Sequence, residues 1–206
     1  TRPMDLHLKG FQSMGFTIKE EFGFMEGLGS SLGSQEILLD FPSVGATENL
    51  MMAAVLLPGT TILRNAAREP EIVDLQNFLN RMGAKIRGAG LDTIRIEGVS
   101  RLGSVEHAVI PDRIEAGTFM VAAAISRGEV FIENVVLEHV QPVVSKLREI
   151  GAEVLTYNSG IKVVGGGRLR PADIKTMPYP GFPTDMQPQI MALLSSIVGT
   201  SVLVET

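Results

Sequence analysis

Asp185 stands in "YPGFPTDMQ" (residues 179–187), behind Pro178, Pro180 and Pro183 and immediately ahead of an apolar run, "PQIMALLSSIVG". A carboxylate held at a helix start behind so stiff an approach has two readings. It can cap the helix, with Thr184 and Gln187 at capping-box spacing and Asp185 in the first turn, where the dipole favours negative charge. It can equally act as a base that accepts a hydroxyl proton. Both stay open on these residues alone.

Other positions carry similar pairs of readings. In "DFPSVGATEN" (40–49), Ser43 has the type and place of an N-cap, and Gly45 lets backbone approach a neighbour closely. Free N–H groups at such a helix start also suit a phosphate. In "TRPMDLH" (1–7), the rigid fork of Arg2 can hold a phosphate or carboxylate, and Asp5 reads as a first-turn acid. Pro70 reads as a helix start within "NAAREPEIVD" (65–74), with Glu69 and Glu71 beside it. Asp112 and Glu115 in "PDRIEAGT" (111–118) have capping-box spacing. The triple glycine of "GGGRLRP" (165–171) reads as hairpin chemistry.

The composition removes other chemistries. The chain has 206 residues and no cysteine, so disulfides, thiolate metal sites and a cysteine nucleophile are excluded within it. Its three histidines, His7, His107 and His139, are scattered, and no zinc, Walker or dinucleotide-binding spacing accompanies them. We expect no metal and no cofactor. Residues 1–110 carry a net charge of −3 and the remainder −2, which disfavours nucleic acid and anionic membranes as partners. Apolar runs such as "FMVAAAI" (119–125) are too short to span a bilayer, and no signal-peptide pattern opens the chain.

The elements that must position these residues come from an internal repeat. "FQSMGFTI" (11–18), "FLNRMGAKI" (78–86) and "KLREIGAEV" (146–154) each read as the end of an amphipathic helix, a closing glycine and a strand. Gly15, Gly83 and Gly151 stand 68 residues apart. Likewise "ENLMMAAVLLPGTTILRNAA" (48–67), "GTFMVAAAISRGEVFIENVV" (117–136) and "QPQIMALLSSIVGTSVLVET" (187–206) read as an apolar helix, a turn at Gly59, Gly128 or Gly199, and a strand. Each unit then closes on a hairpin such as 84–98. The central helices are apolar nearly all round, which predicts burial beneath sheets. Two units, roughly 43–110 and 111–181, are complete; the tail of one precedes them and the head of another follows. That phase predicts a piece of a longer protein.

Taken together, "RPMDLHLKG", "PSVGATEN", "NAAREPEIVD", "GAKIRGAGLDTIRIEGV", "PDRIEAGTFMVAAAISRG" and "FPTDMQPQ" resemble the UDP-N-acetylglucosamine 1-carboxyvinyltransferase family over essentially the whole chain. The resemblance implies an α/β fold of repeated βαβαββ units, an inside-out α/β barrel of which this chain is an incomplete half. It implies residues 1–110 as the later part of one lobe and 111–206 as the beginning of the other, with a hinge near Ile110–Pro111. It implies transfer of enolpyruvyl from phosphoenolpyruvate to the 3-hydroxyl of UDP-N-acetylglucosamine, in the bacterial cytoplasm, with the missing half of the enzyme as partner. By the same resemblance Arg2 contacts phosphoenolpyruvate, and Pro3, Met4, Asp5 and Leu6 hold the uridine. Ser43, Val44 and Gly45 lie beside the diphosphate, Asp185 accepts the sugar hydroxyl proton, and Glu69 and Asp112 face the cleft. Phe41 departs from the lysine some relatives carry, and the relatives' cysteine loop and most phosphoenolpyruvate ligands have no counterpart here. The sister 3-phosphoshikimate enolpyruvyltransferase and an inactive repeat fragment are the alternative readings.

Overall fold

The computed structural model describes residues 4–29 and 31–205. Arg2 and Pro3, two of the expected substrate contacts, lie outside the described residues. The chain divides into two compact units, Thr1–Val109 and Ile110–Thr206, each with its own hydrophobic core.

The first unit opens with α1 (Asp5–Ser13), followed by an antiparallel hairpin of β1 (Phe16–Glu21) and β2 (Phe24–Gly29). β3 (Glu36–Leu38), α2 (Val44–Ala54) and β4 (Thr60–Arg64) form a β–α–β step in which the strands pair in parallel. α3 (Pro70–Arg81) then leads to β5 (Lys85–Arg87) and β6 (Thr93–Glu97). The sheet order is β3-β4-β6-β5, so the second strand of the hairpin is central and runs antiparallel to β4. α2 buries Leu50, Met51 and Ala54 against Leu63, Ile94 and Ile96, all at most 1% exposed. Removing a side chain as well enclosed as Leu50 costs about 2–5 kcal/mol.

The second unit repeats the plan. α4 (Arg113–Ile125) and β7 (Glu129–Glu133) lead to α5 (Leu137–Ile150), β8 (Glu153–Tyr157) and β9 (Gly160–Val164). The order β7-β9-β8 again puts the second hairpin strand in the centre. β10 (Ile174–Lys175), α6 (Gln187–Ser195) and β11 (Leu203–Val204) make a parallel β–α–β step like that of β3 and β4. α2 and α4 bury one face, with Leu50, Met51 and Ala54 on the first and Met120, Val121 and Ala124 on the second. Met52, Phe119 and Ile125 stay exposed, so the all-round burial that their apolar composition predicts is only partly realised. The amphipathic α3 and α5 show polar residues to solvent. The closing glycines adopt positive φ (97° at Gly15, 105° at Gly83 and Gly151), the left-handed geometry that ends a helix without a Cβ clash.

Residues 99–109 form no strand and pass along α3, where His107 donates to Asp74 at 2.9 Å. One expectation needs correction: the glycine triplet at 165–167 is not a hairpin turn. It opens a segment without strands between β9 and β10, and a Cβ at Gly165 would strike the carbonyl oxygen of Ala123.

Candidate active site

In the first unit, α1 and α2 pack side by side with their N-termini at the same end. His7 in the first turn of α1 lies over the start of α2: its Nδ1 accepts from Asn49 Nδ2 at 2.9 Å, and a Cβ at Gly45 would sit 3.3 Å from its ring. One turn further on, Gly10 meets Leu50 with no room for a side chain. Small residues at 10 and 45 therefore set how closely the two helix starts approach. That contact brings Met4, Asp5 and Leu6 to the same end as Ser43, Val44 and Gly45. Met4 and Asp5 are exposed and Leu6 packs on the core.

Ser43 is the N-cap of α2; its hydroxyl accepts from the Ala46 N–H at 3.3 Å. The buried Thr47 ties this start in place, donating to the Ser43 carbonyl at 2.7 Å and accepting from the Ala67 N–H at 3.1 Å. A helix start held this firmly keeps its remaining N–H groups aimed one way, which suits an anion. Glu69 is the N-cap residue of α3 and only 9% exposed. Burial, and then the negative charges of Glu71 and Glu69, push the carboxyl of Glu48 on α2 above its ordinary value of 4.5. His7, Asn49 and Glu48 are the groups that sequence reasoning did not single out here. The packing of α1, α2 and α3 that brings them together did not show in the sequence.

In the second unit, Asp112 caps α4, accepting from the Ile114 N–H at 2.7 Å and the Glu115 N–H at 3.1 Å. It borders a cavity of about 340 Å³ between α4 and the β7–α5 connection, walled by Phe119, Ile132, Val136 and His139. Asp185 lies in a single 3-10 turn, Thr184–Met186, that precedes α6. The capping box expected from Thr184 and Gln187 does not form. Pro183 occupies the cap position, and the Thr184 hydroxyl donates instead to Glu205 Oε1 at 2.6 Å. In the 3-10 turn the i+3 amide, the Gln187 N–H, donates to the Thr184 carbonyl, and the Thr184 hydroxyl turns to the strand-end carboxylate.

Asp185 is exposed between two anchored neighbours. On one side is the Thr184–Glu205 bond; on the other is Met186, fully buried, whose sulfur would lie 2.9 Å from a Cβ at Gly117 of α4. Gln189 Nε2 donates to Thr118 Oγ1 at 3.0 Å and repeats the α4–α6 contact one turn on. The Arg113 guanidinium lies 5.8 Å from the centre of the Tyr179 ring, within the proline-rich approach. Asp112 and Asp185 thus both mark the N-terminal end of a helix pair, as Asp5 and Ser43 do in the first unit. Among the described residues, no group of three or more His, Asp or Glu is arranged to hold a metal ion, and no helix is long and apolar enough to cross a membrane.

This arrangement has known relatives. A relative from Symbiobacterium thermophilum named UDP-N-acetylglucosamine 1-carboxyvinyltransferase 1 is 63% identical over 206 residues, which is all of this chain and 47% of that protein. One of the same name from Caldanaerobacter subterraneus subsp. tengcongensis is 60% identical over 205 residues, covering 49% of its length. The chain spans about half the length of these relatives. Among solved structures, the fold matches the enolpyruvyl transferase NikO from Streptomyces tendae with a TM-score of 0.86 at 22% identity, over 99% of this chain and 52% of that one. An EPSP synthase from Acinetobacter baumannii matches with a TM-score of 0.65 at 23% identity, over 98% and 48% respectively. The sequence profile described as EPSP synthase (3-phosphoshikimate 1-carboxyvinyltransferase) matches residues 1–206, and the chain belongs to that family.

Proposed function

We propose that this chain forms about half of a UDP-N-acetylglucosamine 1-carboxyvinyltransferase, acting in the bacterial cytoplasm at the first committed step of peptidoglycan synthesis. The observation that carries this reading is the 59–63% identity, along the whole chain, to relatives bearing that name.

In the proposed reaction the methylene carbon of phosphoenolpyruvate gains a proton and the sugar 3-hydroxyl adds to C2 while losing its own. The bond from C2 to the phosphate oxygen then breaks, and loss of a methyl proton restores the double bond. Inorganic phosphate leaves, and the enol ether remains on the sugar. Asp185 is the group that takes the hydroxyl proton, an assignment supported by its exposure on a turn fixed at both sides. Arg2 neutralises charge on phosphoenolpyruvate. Pro3, Met4, Asp5 and Leu6 hold the uridine. Ser43, Val44 and Gly45 meet the diphosphate at the N-terminus of α2, where the oriented amides favour anions. Glu69 and Asp112 line the substrate cleft. The remainder of the catalytic groups come from the length of enzyme this chain does not span.

The test is a chimera in which these 206 residues replace the matching segment of the Symbiobacterium enzyme. Phosphate release from phosphoenolpyruvate is followed with UDP-N-acetylglucosamine or with shikimate 3-phosphate as acceptor. Turnover with the nucleotide sugar is the expected result. A folded chimera that uses only shikimate 3-phosphate, or neither acceptor, overturns the proposal.

A further inference from the structure

Besides Met186, a second contact ties the start of α6 to α4. Gln189, the third residue of α6, donates from Nε2 to Thr118 Oγ1 at 3.0 Å. The Thr118 hydroxyl gives its own proton to the Ile114 carbonyl, 2.7 Å away and one turn back along α4. Only its lone pairs are left for a neighbour, so Gln189 must turn the NH2 side of its amide toward it. On the other side of that amide Oε1 is buried, and no donor among the described residues reaches it. The desolvation of such an acceptor offsets what one neutral hydrogen bond contributes, so the pair adds little to stability.

Around this pair the interface is apolar. Met186, Ile190 and Leu193 are buried on one side and Met120 and Ala124 on the other, within one core cluster. Apolar residues recurring every three or four positions present a similar stripe at each turn. They hold two helices together without fixing how far one lies along the other. Gly117 sets how closely α6 approaches, since it leaves room only for the unbranched Met186. The amide sets the remaining coordinate. A slide of one turn, about 5.4 Å, would carry it from Thr118 to Ile114 or Ala122, and neither has a side-chain acceptor. A single polar pair in an apolar helix seam fixes register at some expense of stability.

We propose that Gln189 is a positioning residue, whose bond to Thr118 sets the register of α6 on α4 and so holds Asp185 where its carboxylate meets the sugar hydroxyl. The link between them is short. The Gln187 N–H donates to the Thr184 carbonyl and the Met186 N–H to the Pro183 carbonyl at 3.0 Å, so the turn carrying Asp185 is continuous with α6 and moves with it. The catalytic part of this inference rests on the proton-accepting role proposed for Asp185; the register itself does not.

The bond can be removed from either end. Gln189→Met keeps the length and helix propensity of the side chain, removes the buried acceptor and leaves Thr118 bonded to Ile114. Thr118→Val removes the acceptor, and Thr118→Ser retains it. In the 206-residue chain, Gln189→Met should melt at or above the temperature of the parent. Exchange of the Met186 and Gln187 amide protons, followed by NMR, should nevertheless quicken by roughly 10-fold. Thr118→Val should have the same effect, the double variant no more than either single one, and Thr118→Ser none. In the chimera, Gln189→Met should lower kcat by about 10-fold or more with KM for both substrates unchanged. Exchange at the parent rate, effects that add in the double variant, or a lowered Tm in Gln189→Met would overturn the proposal. So would an unchanged kcat alongside faster exchange. If the chimera with the unaltered segment does not turn over, the transferase reading fails by itself, while the exchange rates still decide the register.

Discussion

Met186 lies against Gly117, its sulfur 2.9 Å from the position a Cβ would take on that glycine, and this contact sets the seat of the neighbouring Asp185. The carboxylate itself stays exposed while the residue beside it is sealed into the core. That mounting bears on the proposed proton-accepting role, because small displacements of a catalytic group are expensive.

Asp185→Asn tests the proton-accepting role directly. In the chimera described above we expect phosphate release with UDP-N-acetylglucosamine to fall by about 10²-fold or more, in the range typical of a lost general base, with Tm unchanged. Near-normal turnover would return Asp185 to a structural part.

Gly117→Ala separates mounting from chemistry. Alanine improves helix propensity by about 1 kcal/mol, which offsets the cost of shifting the flexible Met186 side chain. The melting temperature should therefore move little, while kcat in the chimera falls more than KM rises. Equal kcat for the two proteins would mean that Met186 does not hold the turn.

Ser43→Ala removes the cap of α2. Loss of such a cap costs about 1 kcal/mol, read as a lower midpoint in urea unfolding of the 206-residue chain. If this helix start also meets the diphosphate, KM for the nucleotide sugar rises in the chimera by a larger factor than KM for phosphoenolpyruvate. Equal changes in both would point to a purely structural cap.

Glu48→Gln gives a pH signature. The folded-state value of Glu48 is raised above 4.5, so the unfolded chain ionises first as pH rises and the folded state becomes relatively less stable. That penalty is fully present above the raised value and vanishes below about 4.5. The glutamine variant should accordingly melt at a higher temperature than the parent at pH 7.5, with the gap closing toward pH 4. A gap that widened on acidification would reverse the assignment.

Much of the architecture was legible because the repeat writes each helix end, turn and hairpin two or three times at matched spacing. The closing glycines Gly83 and Gly151 and the caps Ser43 and Asp112 are local features, satisfied by amides within a few residues, so the linear order was enough to place them. Thr184 was misread for the same reason. Its spacing to Gln187 fits a capping box, but Glu205, twenty-one residues on, supplies the better acceptor. Only the folded chain brings them within 2.6 Å.

What the sequence determined by itself, then, is the set of elements and the residue types at their ends, since hydrophobic period, capping and glycine chemistry act over a turn or two. Only the tertiary structure decided which ends meet. The His7 ring over Gly45, Met186 over Gly117 and the acidic neighbours of Glu48 all join separate helices. Such contacts depend on close packing between surfaces distant along the chain, and no local spacing encodes that.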